Sequence, residues 1–96
     1  MDEDGGATTR FLLSSDASSD VDGTCTALNA CLRVAPSRLV VCDCAAVSAD
    51  LVAIEMLARL LLAARRRGST IRLARASDAL MSLVTTVGLD SVLLRA

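Results

Sequence analysis

Cys42-Asp43-Cys44 and Ser48 are the residues of this chain whose types and spacing come nearest to chemistry. In an extended strand, residues two apart share a face, so both thiols of a C-x-C would enter one layer of the fold. Two thiolates make only half of a tetrahedral zinc site, and the chain has no histidine to complete it. A redox pair needs C-x-x-C and a helix N-terminus that depresses one thiol's pKa; this spacing supplies neither. Free cysteine is among the most buried residue types, so both read as small core hydrophobes. Asp43 stands near the C-terminal end of the same strand, where α/β sheets gather functional groups. A phosphoacceptor there would need further carboxylates around a magnesium ion and a lysine, and the chain contains no lysine. Capping a turn or the next helix is the simpler role for it.

Other chemistries fall to composition. Without histidine, every His-based triad is excluded. The phosphate loop GxxxxGK[ST] is absent, and Gly5-Gly6 lies in a polar N-terminal stretch. No acid/base pair, activated nucleophile or metal set can be assembled, so no enzyme activity, cofactor or metal is expected. A net charge of −1 gives nucleic acid or an anionic membrane no general reason to bind. With no Trp or Tyr and a single Phe, there is no stacking platform for bases, and the core must be aliphatic. The expected partner is another protein, with a second copy of the chain also possible.

The elements that must position these residues follow from periodicity. At 96 residues, 53% hydrophobic and 22% charged, the chain suits one small domain with one core. Residues 1–9 read as a disordered acidic tail and 10–96 as the domain. Arg10–Ser14 (RFLLS) reads as a short strand. Ser19 or Asp20 then caps a helix on which Val21, Cys25, Leu28 and Leu32 recur on one face, and Pro36 stops it. Leu39–Cys44 (LVVCDC) has the form of a central strand buried on both faces. Thr70–Leu73 alternates like a strand. Ser77 caps a third helix with Leu80, Leu83, Val84 and Val87 as its stripe, and Gly88 ends it. Ser91–Leu94 reads as a closing edge strand. This order predicts an α/β domain of about four mostly parallel strands with three helices. The longest apolar run, Leu51–Ala64, is interrupted by Glu55 and Arg59 and is too short to span a bilayer. The polar, acidic start does not resemble a secretory signal, so a cytoplasmic location with reduced cysteines is expected.

Val47–Gly68 is the most informative stretch. Asp50 caps a helix to about Arg67, Gly68 suits its left-handed C-terminal residue, and Arg65, Arg66 and Arg67 complement the helix dipole. Ile54, Leu57, Leu61 and Ala64 cluster as the core stripe, with Glu55, Arg59 and Arg66 opposite. Val52, Met56, Ala63 and Leu62 flank that polar line, so the apolar arc is wider than one core contact requires. Either the helix is packed deeply between sheet and neighbour, or Ser48, Asp50, Val52, Glu55, Met56, Arg59, Leu62 and Arg66 form a partner-binding surface.

A strand LVVCD, a short loop, an Asp-led helix, then LARLLLAARRRGSTIRLARASDALMSLVTTVGLDSVL resembles the STAS domain, named for sulphate transporters and anti-sigma-factor antagonists. The likeness covers Arg38–Leu94. It is most specific in the helix-Arg-Gly-strand junction and in the closing V-G-L-D-x-V-L. In the family's regulatory members this helix opens with Asp-Ser-Ser/Thr-Gly, and a partner kinase phosphorylates a serine there. Here Asp50 is followed by Leu51, Val52 and Ala53, none of which has a hydroxyl. The resemblance implies a non-catalytic, degenerate STAS-like domain that docks through helix 50–67 without a serine phosphoswitch. As an anti-sigma-antagonist-type regulator or scaffold it would meet an anti-sigma kinase-like protein. As a structural subunit of a phospholipid-transport ABC complex it would meet a transporter ATPase, in neither case inserting into the membrane itself. Ser48 is the one hydroxyl left in the loop before the helix: its expected role is a hydrogen bond to a nearby backbone N–H, the alternative being a relocated phosphate that the Asp50 charge would repel.

Overall fold

The computed structural model describes residues 8–96. These residues form one four-stranded parallel sheet with three α-helices. The elements are β1 (Thr8–Leu12), α1 (Val21–Val34), β2 (Leu39–Asp43), α2 (Leu51–Arg66), β3 (Thr70–Ala74), α3 (Asp78–Thr86) and β4 (Leu94–Arg95). A single 3₁₀ turn, Ala17–Ser19, precedes α1. Thr8 and Thr9, expected in the tail, open β1 because they pair in register with Leu39 and Val40. The strand therefore ends at Leu12 rather than Ser14. The rest of the expected acidic tail, residues 1–7, lies outside the described residues.

The caps expected from sequence close the helices. Asp50 Oδ1 accepts from Ala53 N–H at 2.8 Å, and Ser77 Oγ accepts from Leu80 N–H at 3.1 Å. Asp20, rather than Ser19, caps α1 through Gly23 N–H at 3.0 Å. Each takes one of the N–H groups that a helix start leaves without an intrahelical acceptor. Gly68 and Gly88 have φ of +77° and +83°, a region where a Cβ is strained. Beyond them Ser69 N–H reaches back to Ala64 C=O, and Leu89 N–H to Val84 C=O, each at 2.9 Å. These are the six-residue bonds of Schellman caps.

The strand order is β1-β2-β3-β4, each pair parallel. Successive crossovers thus all step the same way across the sheet. With the usual right-handed crossover, that puts all three helices on one face. Burial agrees: in β3, Ile71 and Leu73 are buried while Thr70 and Arg72 are exposed. Val40, Cys42, Ile71 and Leu73 join Leu28, Leu32, Leu57, Leu60, Leu80 and Val84 in one core cluster. Val41 has 9% exposure yet lies outside that cluster, since its side chain points to the other face. β2 is thus buried on both faces, as its composition predicts, Val41 included, although the helices of the described residues lie on one side of the sheet.

Ile54, Leu57, Leu61 and Ala64 are buried, as their spacing predicts. Leu57 is fully enclosed. Leu57→Ala should destabilise the fold by about 2–5 kcal/mol, the range for a large-to-small core change. Urea unfolding measures this, and an unchanged midpoint would remove Leu57 from the core.

Candidate partner-docking site

Residues on the outer side of α2 form the candidate site. An α-helix advances about 100° per residue, which places Leu51, Leu62, Glu55, Arg66, Arg59 and Val52 side by side on its outer face. Leu51, Val52 and Leu62 are 68%, 52% and 58% exposed, so three large apolar side chains stand in solvent there. Between them, Arg59 Nη1 donates to Asp22 of α1 at 3.1 Å, and Nη2 lies 3.3 Å from Glu55 one turn earlier. This exposed triad ties the two helices together along the patch, although such surface pairs contribute little stability. Arg66 lies at the far end, lining a groove with Asn29, Arg33 and Arg67. Met56 does not belong to the surface. It is completely buried, because α1 packs against that flank of α2 and draws the methionine into the core.

The loop from Cys44 to Asp50 enters this helix at the C-terminal ends of the strands. Val47 N–H bonds to Cys44 C=O, and Asp50 N–H to Ser48 C=O. The Ser48 side chain differs from expectation. It is exposed, and among the described residues its hydroxyl makes no hydrogen bond; only its backbone carbonyl is used. Asp50 spends one carboxylate oxygen on the helix cap, leaving its negative charge at the helix entry.

Asp43 sits under the loop with its side chain 8% exposed. Its Oδ1 accepts from Ala45 N–H at 3.1 Å, the turn-capping role expected of it. Sequence reasoning missed the cation. Arg75 Nε lies 3.1 Å from both carboxylate oxygens, Arg75 Nη2 bonds Oδ2, and Arg10 Nη2 approaches Oδ2 at 3.7 Å. Arg75 holds φ of +54°, unusual for a residue with a Cβ. The parallel register carries the signal: Asp43 pairs with Ala74, so Arg75 is the first residue beyond it on the neighbouring strand. The Arg75 hydrogen bonds, then the Ala45 N–H, hold the Asp43 carboxyl below its usual range.

Cys42 and Cys44 behave as buried apolar groups. Burial, then the neighbouring Cys44, pushes the Cys42 thiol up to about 12. Burial, then the Asp43 charge, pushes Cys44 up to about 11. Both are protonated at neutral pH, so neither is a nucleophile or a ready metal ligand. All four cysteines are free. No group of three or more His, Cys, Asp or Glu able to hold a metal ion occurs among the described residues. No helix among them is long and apolar enough to cross a membrane.

The fold and this surface define a parallel α/β domain whose central helix offers an apolar, charge-lined outer face. No family model and no curated protein matches the chain.

Alkylation should follow burial. In native protein Cys31, which is exposed, should react first, Cys25 more slowly, and Cys42 and Cys44 only on unfolding; peptide mapping after timed iodoacetamide treatment reads the order. The Asp43 cluster has a pH signature. Because the folded-state pKa is lowered, the unfolded chain binds the proton more readily, and stability from this group rises with pH. Its contribution is complete above the unfolded value of about 4 and is lost as pH falls through the folded one. The stability gap between the parent and Arg75→Ala should therefore be constant from pH 5 to 7 and narrow below about pH 4. A gap that is independent of pH in denaturant titrations would detach Arg75 from Asp43. Arg75→Gly should be more stable than Arg75→Ala by about 1 kcal/mol, since glycine accepts the positive φ.

Proposed function

We propose that this chain is a non-catalytic, STAS-like protein-binding domain, a regulator or scaffold of the anti-sigma-antagonist type. It docks through the outer face of α2 and the loop that enters it. The observation that supports this most is the exposure of Leu51, Val52 and Leu62 around the Glu55–Arg59–Asp22 network. A helix side facing only water gains nothing from three large apolar residues, whereas an interface core gains from each. The charges between them would fix register and orientation rather than supply affinity.

Docking on this reading is constitutive. Leu51, Val52 and Ala53 fill the positions after the capping aspartate, and none can carry a phosphate. Ser48 is accessible, but a phosphate there would meet the Asp50 charge two residues on. Its partner is a protein of the anti-sigma-kinase type.

The test is capture from native lysate on immobilised chain, with bound proteins identified by mass spectrometry. Leu62→Glu should remove the specific partner while shifting stability by no more than about 0.5 kcal/mol, as for other exposed positions. Ser48→Asp should leave capture unchanged. A partner retained equally by Leu62→Glu would exclude the α2 face, and one released by Ser48→Asp would reinstate a switch in the loop.

A further inference from the structure

The sheet has a second side, and its residues are not a random solvent face. Parallel sheets are normally covered on both faces. Here the face away from the helices carries Thr8, Arg10 and Leu12 from β1; Leu39, Val41 and Asp43 from β2; and Thr70, Arg72 and Ala74 from β3. Leu94 of β4 extends it. Register aligns Arg10 with Val41 and Val41 with Arg72, and sets Leu94 beyond Arg72. Leu39, half-buried, and Val41, only 9% exposed, run along the central strand, with one arginine on each side of Val41. Leu12 and Leu94, 71% and 42% exposed, stand at the outer strands.

The arginines are only partly engaged. Arg10, with its side chain 66% exposed, reaches Asp43 at 3.7 Å. Arg72 is exposed and has no carboxylate within salt-bridge distance among the described residues. Two strand spacings separate Arg10 from Arg72, about 10 Å, which matches the roughly 10–12 Å width of an α-helix. A helix laid along β2 would rest on Leu39 and on the aliphatic stems of Arg10 and Arg72, and bring both its shoulders to a guanidinium. Those shoulders must be acidic, because each arginine needs a counter-charge once water is excluded.

We propose that this helix-free face of the sheet binds an amphipathic protein helix whose apolar stripe is flanked on both sides by carboxylates. This is a surface distinct from the outer side of α2 and does not depend on it. A second copy of the chain is a poorer occupant, since two such faces brought together oppose arginine to arginine. The chain's own residues 1–7 carry three carboxylates but only one large apolar side chain, Met1, and so lack the stripe.

The test uses the full chain and a synthetic 18-residue helical peptide with a leucine-alanine stripe and glutamates on both shoulders. A control peptide has lysines in place of the glutamates. Fluorescence anisotropy should show binding of the glutamate peptide, weakened by salt, and none of the lysine peptide. Amide shifts in NMR spectra should centre on Leu39, Val41, Thr70 and Arg72 and spare α2. Arg10→Gln with Arg72→Glu should weaken binding roughly tenfold or more; glutamine is used at position 10 because a carboxylate there would repel Asp43. A thermal melt of the double variant close to the parent's shows that the loss is not unfolding. No binding of the glutamate peptide, equal binding of both peptides, equal binding by the double variant, or shifts centred on α2 would each overturn the proposal. So would self-association of the parent, seen by sedimentation and abolished in the double variant, because it would give the face to a second copy.

Discussion

Three crossovers that all step in one direction are the constraint on which the rest of this molecule depends. They force the strand order to follow the chain and collect α1, α2 and α3 on one side of the sheet. A layer of three helices has one middle member, and α2 packs on α1, α3 and β3 together. It therefore buries seven residues over a broad arc and leaves only its outermost side to solvent. The same constraint leaves the opposite side of the sheet without a helix among the described residues. There Arg10 and Arg72 flank Val41 in register, and Val41 is 9% exposed.

Parallel topology also sorts the polar groups by end. Helices enter at the C-terminal ends of the strands, so the capping residues Asp20, Asp50 and Ser77 gather there with Asp43. Helix exits lie at the other end, where Arg33 closes α1 and Arg65 and Arg66 close α2. Favourable pairing with each helix dipole accounts for this separation locally. Asp43 is the exception, a carboxylate at the edge of the core. Arg75, the residue just past the end of β3, compensates it, and does so from a left-handed conformation that its own Cβ opposes.

Local rules carried most of the fold because the elements here obey them. The span of α2, its Asp50 cap, its Gly68 exit and its core stripe all follow from short-range pattern, as do the buried C-x-C thiols. What failed needed knowledge of neighbours. Thr8 and Thr9 look like tail by composition and become strand only through pairing with Leu39 and Val40. Met56 lies at the border of the apolar arc, and only the side on which α1 packs decides that it is inside. Arg75 has no periodic signature, and its role exists only once β2 and β3 are in register. The residues of the candidate site were legible as a face of a helix, but periodicity could not tell an exposed apolar residue from a buried one.

On the proposed reading, the side chains at the entry to α2 would set regulation without altering the fold. Ala53 is fully buried, and its N–H is taken by Asp50, so this position is committed to the cap and the core. Leu51 and Val52 point outward. On the proposed reading, they occupy positions where a hydroxyl would make the surface responsive to a kinase, since adding about −1.5 to −2 charges there would disrupt an apolar contact. Leucine and valine keep the contact apolar in every state of the cell. The affinity of such a surface then follows buried area and packing, which no covalent charge can adjust, and occupancy becomes a function of partner concentration alone.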